Sequence, residues 1–251
     1  MAETTLSPAE PQGHRILAQA RFEAEILARN GEQLLVSLVL PALAMVALIA
    51  SPYPDLAEPR VALVVPGVLA LAVVSTAFTG QAIQTAFDRR YGVLRLLATT
   101  PVGSDGLLAG KAVAVAVVAL VQLVVLGALG AALGWRPDLL GLLLAPVSAA
   151  LGVWVFVSLA LLLAGALRAE AVLALANLVW VLLAGVGGLL LPGTTIGGLD
   201  AIVRWLPSGA LGDAFRDGLT GSGVPLLPWA VLVVWGAVLS LAVVRTFRWR
   251  D

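Results

Sequence analysis

Six stretches of this chain contain almost nothing but apolar residues: about 34–50, 61–86, 112–133, 139–167, 171–191 and 226–244. Each is near or above the roughly 17–25 residues a helix needs to cross ~30 Å of hydrocarbon. A helix that is apolar all round has no face to show water and must lie in lipid or in a protein core. A chain of 251 residues has interior for one or two such helices, not six. Its content of 60% hydrophobic and 12% charged residues agrees, since a soluble domain carries roughly 25% charged residues. The sequence predicts an all-α polytopic membrane protein with six transmembrane helices. The first stretch is the shortest and carries Pro41, with Glu32 and Gln33 placed to snorkel at its inner end.

Orientation follows from the loop cations. With the N-terminus inside, the inner side collects Arg15, Arg21, Arg29, Arg89, Arg90, Arg95, Lys111, Arg168, Arg245, Arg248 and Arg250, against Arg60, Arg136, Arg204 and Arg216 outside. An even number of spans then returns the C-terminus to the cytoplasm. The charged first ~30 residues lack the apolar run of a cleavable signal, so the first span is expected to act as its own, uncleaved, signal. Arginine far outnumbers the single lysine in a chain rich in Ala, Val, Leu and Gly, a composition that points to a high-GC bacterium and hence to its cytoplasmic membrane.

Three segments are neither spans nor simple turns. Residues 14–30 read as an interfacial helix, with Ile16, Leu17, Ala20, Ala24, Leu27 and Ala28 on one face and Arg21, Glu25 and Arg29 on the other. Between the second and third spans, Arg89, Arg90 and Arg95 alternate with Val93, Leu94, Leu96 and Leu97, a short amphipathic helix from about Tyr91 that Pro101 stops. Ser104 or Asp105 can cap the third span, and Lys111 is expected at headgroup level. Between the fifth and sixth spans lies a glycine-rich outer connection. It offers short helices at 199–205 and 209–219, broken at Pro207, as a re-entrant or interfacial cap anchored by Trp205, Phe215 and Trp229.

Several function classes lack their residues. Net charge is zero and no basic run is long enough to follow a row of phosphates, so nucleic acid is not an expected partner. Cysteine is absent and the single histidine, His14, lies outside every span, so no metal site or intramembrane catalytic set is expected. Gly110-Lys111 resembles the end of a phosphate-binding loop. However, Asp105 stands where its first glycine belongs, and Ala112 replaces the hydroxyl that would hold magnesium. The chain is therefore expected to bind no cofactor itself. Inside the spans there remain Ser75, Thr76, Thr79, Gln81, Gln84 and Thr85, then Gln122, Ser158 and Asn177. These suit hydrogen bonds between helices, with a substrate path as the alternative; Gly130 and Gly134, spaced as GxxxG, suit close packing.

The stretch Asp88-Arg89-Arg90-Tyr91-Gly92-Val93-Leu94-Arg95-Leu96-Leu97, followed by Thr99-Thr100-Pro101-Val102 and Gly110-Lys111, resembles the signature of ABC-2-type transporter permeases. Leu206-Pro207 with Ala210, Leu211, Ala214, Phe215 and Arg216 is similar to that family's proline-led outer segment. The resemblance implies a single transmembrane domain over residues 1–251 that pairs with a second permease subunit, a copy or a related chain. It implies also a separate cytoplasmic ATPase that binds ATP and Mg. Residues 91–98 would be the coupling helix seated on it, with Asp88, Arg89, Arg90, Tyr91, Gly92, Leu94, Arg95, Leu97 and Pro101 as contact residues. Tyr91 and Arg95 depart from the polar or acidic residues of many members. Spans two and five would line the substrate path, which selects Ser75, Thr79 and Asn177. The expected function is export of a hydrophobic or amphipathic substrate. The alternatives are a haem-exporter-like permease and a non-transporting scaffold that recruits a cytoplasmic partner.

Overall fold

Prolines, glycines and capping side chains punctuate the apolar stretches and set where the helices begin and end. The computed structural model describes residues 11–98, 103–195 and 198–246, the side chains at Arg95, Leu97, Ala98, Ser104, Asp105 and Leu108 excepted. Pro101 and the Arg95 and Leu97 side chains, named above for the coupling helix, thus lie outside the described residues. Every long element among the described residues is helical. In chain order they are α1 (Gln12–Arg29), α2 (Gly31–Ala50), α3 (Arg60–Arg90), α4 (Val93–Ala98), α5 (Gly103–Ala132), α6 (Leu139–Ala166), α7 (Ala169–Gly185), α8 (Asp200–Val203), α9 (Pro207–Leu219) and α10 (Leu226–Thr246). Asn30 caps α2 by accepting from Gln33 N, and Asp138 caps α6 by accepting from Gly141 N. Pro207 does not interrupt a helix but occupies the first turn of α9, where its missing N–H costs nothing.

The centre of the bundle is α3, which packs against α2, α5, α6, α7 and α9. Its most apolar window is 83% buried, against 17% for α2 and 28% for both α5 and α10. Those three turn most of their surface to their surroundings, as lipid-facing helices do. Glycine lets the centre close up: a Cβ on Gly67 would strike the Leu189 and Leu190 carbonyls, and one on Gly130 would meet Val65 Cγ1 at 2.9 Å. Gly134, the other half of the GxxxG pair, has φ +96° and open space around it. It serves the turn after α5, not helix packing.

Among the described residues five helices, α2, α3, α5, α6 and α10, are long and apolar enough to cross a membrane. The expected fifth span, 171–191, is shorter in the structure. α7 has 17 residues and stops at Gly185, and Gly188 takes φ +79°. The non-helical backbone that follows is covered from within. Arg216 on α9 is 7% exposed and donates to the carbonyls of Leu189 (3.0 Å) and Gly188 (2.6 Å) while pairing with Asp213 (3.0 Å). A buried guanidinium here satisfies carbonyls that no helix uses. Arg216 is therefore an internal strut, not an exposed outer charge. Phe215 is fully buried, so of the three expected headgroup anchors it belongs to the core. Trp205 is 55% exposed, and the Trp229 indole donates to Ser148 Oγ at 2.9 Å.

Candidate functional site

α1 buries part of the face its apolar residues predict, with Ala20 and Leu27 buried and Ile16 and Ala24 half-buried. Leu17 is 61% exposed and Ala28 is exposed, whereas Ala20, Glu23 and Leu27 are buried against α5. The packed stripe is rotated towards Glu23 because that carboxylate has a partner. Lys111 Nζ lies 3.0 Å from Glu23 Oε2 and 3.0 Å from Asp88 Oδ2. Lys111 is 1% exposed and Glu23 3%, so the lysine is the hub of a buried knot and not a headgroup-level snorkel. Gln84 Nε2 donates to Glu23 Oε2 and Gln19 Nε2 to Glu23 Oε1, both at 3.0 Å. These bonds offset the desolvation that a buried ion pair must overcome. Gly110 lets α1 approach, since a Cβ there would sit 2.7 Å from Gln19 Cγ. Three helices, α1, α3 and α5, are thereby tied at one point. The sequence carried one trace of it: Glu23 falls three residues from Ala20 and four from Leu27, a carboxylate inside an apolar stripe.

The loop after α3 leaves that knot directly. Arg89 and Arg90 belong to the end of α3, not to the short helix, and both reach the α6–α7 turn. Arg89 Nη2 donates to Leu167 O at 2.8 Å, and Arg90 pairs with Glu170. Tyr91 and Gly92 form a turn, with Gly92 at φ +73°, so α4 starts at Val93, two residues later than expected. Leu94 is buried, while Tyr91 (70%) and Leu96 (69%) point outward; Tyr91 stacks on Phe87 and lies under the Arg90 guanidinium. Among the described side chains, Tyr91 of the turn and Leu96 of α4 thus present an aromatic and apolar surface at the basic end of the bundle, on a base anchored by Asp88, Arg89 and Arg90.

More than two turns further along α3, two π-helical turns face each other, Leu35–Val39 of α2 and Ser75–Gly80 of α3. Such turns recur at functional sites, because the inserted residue turns a side chain off the regular register. Beside them lies a cavity of about 250 Å³, with Leu27, Val36, Ile83 and Phe87 on its apolar side and Asn30, Glu32, Gln33, Thr79, Gln84 and Asn177 on its polar side. The three expected path residues separate here. Thr79 and Asn177 share the cavity. Ser75 lies behind it, donating to Leu71 O (2.8 Å) and accepting from the Trp180 indole (2.8 Å). Thr76 and Gln122 likewise bond each other across α3 and α5, at 3.0 and 2.8 Å, so both pairs work as interhelical bonds. Thr79 is 3% exposed and its Oγ1 has no hydrogen-bond partner. Gln33 Nε2 reaches the Ser75 carbonyl (3.4 Å), the acceptor a threonine at i+4 would otherwise use.

Among the described residues, five helices long and apolar enough to cross a membrane, with α3 buried at their centre and a charged knot at one end, define a multi-pass α-helical membrane protein. The sequence profile of the ABC-2 type transporter family matches residues 15–220. The chain belongs to that family, and it is a transmembrane component of an ABC-type transporter. Components of this kind generally work with ABC ATPase partners. No curated protein is significantly similar to the chain in sequence.

Proposed function

We propose that the chain is the permease subunit of an ATP-driven exporter in a bacterial cytoplasmic membrane, with the knot end and both termini in the cytoplasm. α7 counts as the sixth span: 17 residues rise about 25 Å, and the segment after it completes the crossing under the cover of α9. α4 docks on a separate ATPase that carries ATP and Mg, with Tyr91 and Leu96 as its contact surface. A second permease subunit completes the path.

The observation that supports this reading best is the Glu23–Lys111–Asp88 knot. A displacement of α4 reaches α3 within a few residues. The knot makes α1, α3 and α5 respond together, as a rigid body responds, not as three loose ends. α3 carries that movement to the π-helical turn and to Thr79. Arg89 and Arg90 extend the same unit to α7, which carries Asn177. The test is a mild-detergent pull-down of the tagged full-length chain from its native membranes. A stoichiometric ATPase that is lost on Leu96→Asp, with insertion unchanged, is the expected result. A wild-type chain that brings no ATPase would remove the proposal.

A further inference from the structure

The cavity at the two π-helical turns has a chemistry narrower than a generic amphipathic path. Its polar side consists of one hydroxyl (Thr79), four carboxamides (Asn30, Gln33, Gln84, Asn177) and one carboxylate (Glu32); among the described residues no lysine or arginine lines it. Lys111, whose partner Glu23 also accepts from the lining residue Gln84, is already held between Glu23 and Asp88. A phosphate or carboxylate headgroup would meet Glu32 with no cation to offset the repulsion. Carboxamides and a hydroxyl supply donors and acceptors side by side, which suits groups that are themselves both, and above all vicinal hydroxyls. Size narrows the ligand further. Pockets that enclose a drug-sized ligand hold about 300–1,000 Å³, and this one has about 250 Å³. It holds a headgroup, with the apolar chain left in the bilayer along Val36 and Ile83. Thr79 lines the cavity, and its buried Oγ1, without a partner, is the hydrogen-bonding group that a small rotation of the side chain would offer to a ligand.

Resting on the exporter reading above, we infer that this cavity takes the uncharged, hydroxyl-bearing headgroup of an amphiphile, such as a glycosyl lipid, from the inner leaflet. Thr79 and Asn177 hydrogen-bond its hydroxyls, and Glu32 at the rim repels anionic lipids. Gly80 keeps the site open, because a Cβ there would press on the Gln33 carboxamide.

The test uses the full-length chain in phosphatidylcholine nanodiscs doped equally with monoglucosyl diacylglycerol, phosphatidylglycerol and a dialkyl trimethylammonium lipid, with retained adducts read by native mass spectrometry. The glucosyl lipid should be retained over both others. Thr79→Val, which keeps the side-chain shape, should lower that retention about fivefold, the size of one net hydrogen bond. Asn177→Leu, on an exposed position of α7, gives a second reading that does not depend on core packing. Glu32→Lys should move retention towards phosphatidylglycerol. Equal retention of the three probes, preference for either charged one, or glucosyl retention unchanged in both Thr79→Val and Asn177→Leu overturns the inference. ATPase co-purification, measured on the same variants, separates the two readings. A chain that keeps its ATPase without headgroup preference sinks only the headgroup site, whereas one with preference but no ATPase sinks only the exporter.

Discussion

Lys111 places its donor protons between two carboxylates, the buried Glu23 and the partly exposed Asp88, that would otherwise repel each other. Lys111→Met leaves Glu23 buried without its counter-charge, and breaking a buried pair from one side costs about 3–5 kcal/mol. The variant should lose its thermal transition or shift it sharply down, and Glu23→Gln added to it should recover much of the loss, read as detergent-solubilised melting temperature. On α9 the opposite logic applies to Asp217. Burial raises its pKa above the usual carboxylate value, with Asp213 adding to the rise and Arg216 opposing it. A carboxyl with a raised folded value favours the fold while protonated, so its contribution is complete at acid pH and is lost as pH rises through that value. Asp217→Asn should therefore raise the melting temperature at neutral pH by about a degree or two and leave it unchanged near pH 3. Residue chemistry was legible from sequence only in part. Thr79 and Asn177 could be chosen as polar groups in apolar helices, but nothing local distinguished them from Ser75, whose Trp180 partner lies 105 positions away.

At the scale of elements, α4 and α1 illustrate what periodicity reveals and what it leaves out. The alternation around Leu94 and Leu96 placed a short amphipathic helix in the right loop, because one buried leucine per turn is a local property. Its start was misplaced by two residues because the Tyr91–Gly92 turn depends on a positive φ that glycine permits without announcing. α1 packs a stripe that overlaps the expected face at Ala20 and Leu27 but is rotated. Its apolar face was read correctly as apolar, yet it docks on Glu23, and a carboxylate becomes a packing residue only when a lysine from another helix meets it. The docking can be tested where α1 and α5 touch. Gly110→Leu places a branched side chain where Gln19 Cγ lies 2.7 Å from a mere Cβ. It should expose α1 to limited proteolysis between Arg15 and Arg29 while the spans stay protected. Unchanged cleavage would show that α1 does not rely on this contact. α7 ended early for a reason visible in composition but not in hydropathy: Gly185, Gly187 and Gly188 are near neutral in hydropathy and so do not interrupt an apolar stretch, yet they are poor in a helix.

For the whole molecule, hydropathy located the lipid-crossing helices because length and apolarity are set by bilayer thickness, not by tertiary detail. The central position of α3 was not legible, since buried and lipid-facing helices share one composition. Sidedness can be measured on a chain without cysteine, with no residue to remove first. Ser222→Cys should react with a membrane-impermeant maleimide in intact cells, and Glu25→Cys only after permeabilisation; the reverse pattern would invert the proposed orientation. The knot also bears on how the protein is made. Glu23 and Lys111 stand 88 positions apart, so at ribosomal speeds of about 5–20 residues per second the carboxylate is synthesised about 4–18 s before its lysine. During that interval α1 has no α5 to lean on, and its charge must wait at the membrane surface, where Leu17 and Phe22, exposed in the finished fold, give it purchase. The last act of threading the first half of the protein is then the burial of a charge that was parked in water, and a stalled nascent chain ending before Lys111 would carry α1 undocked.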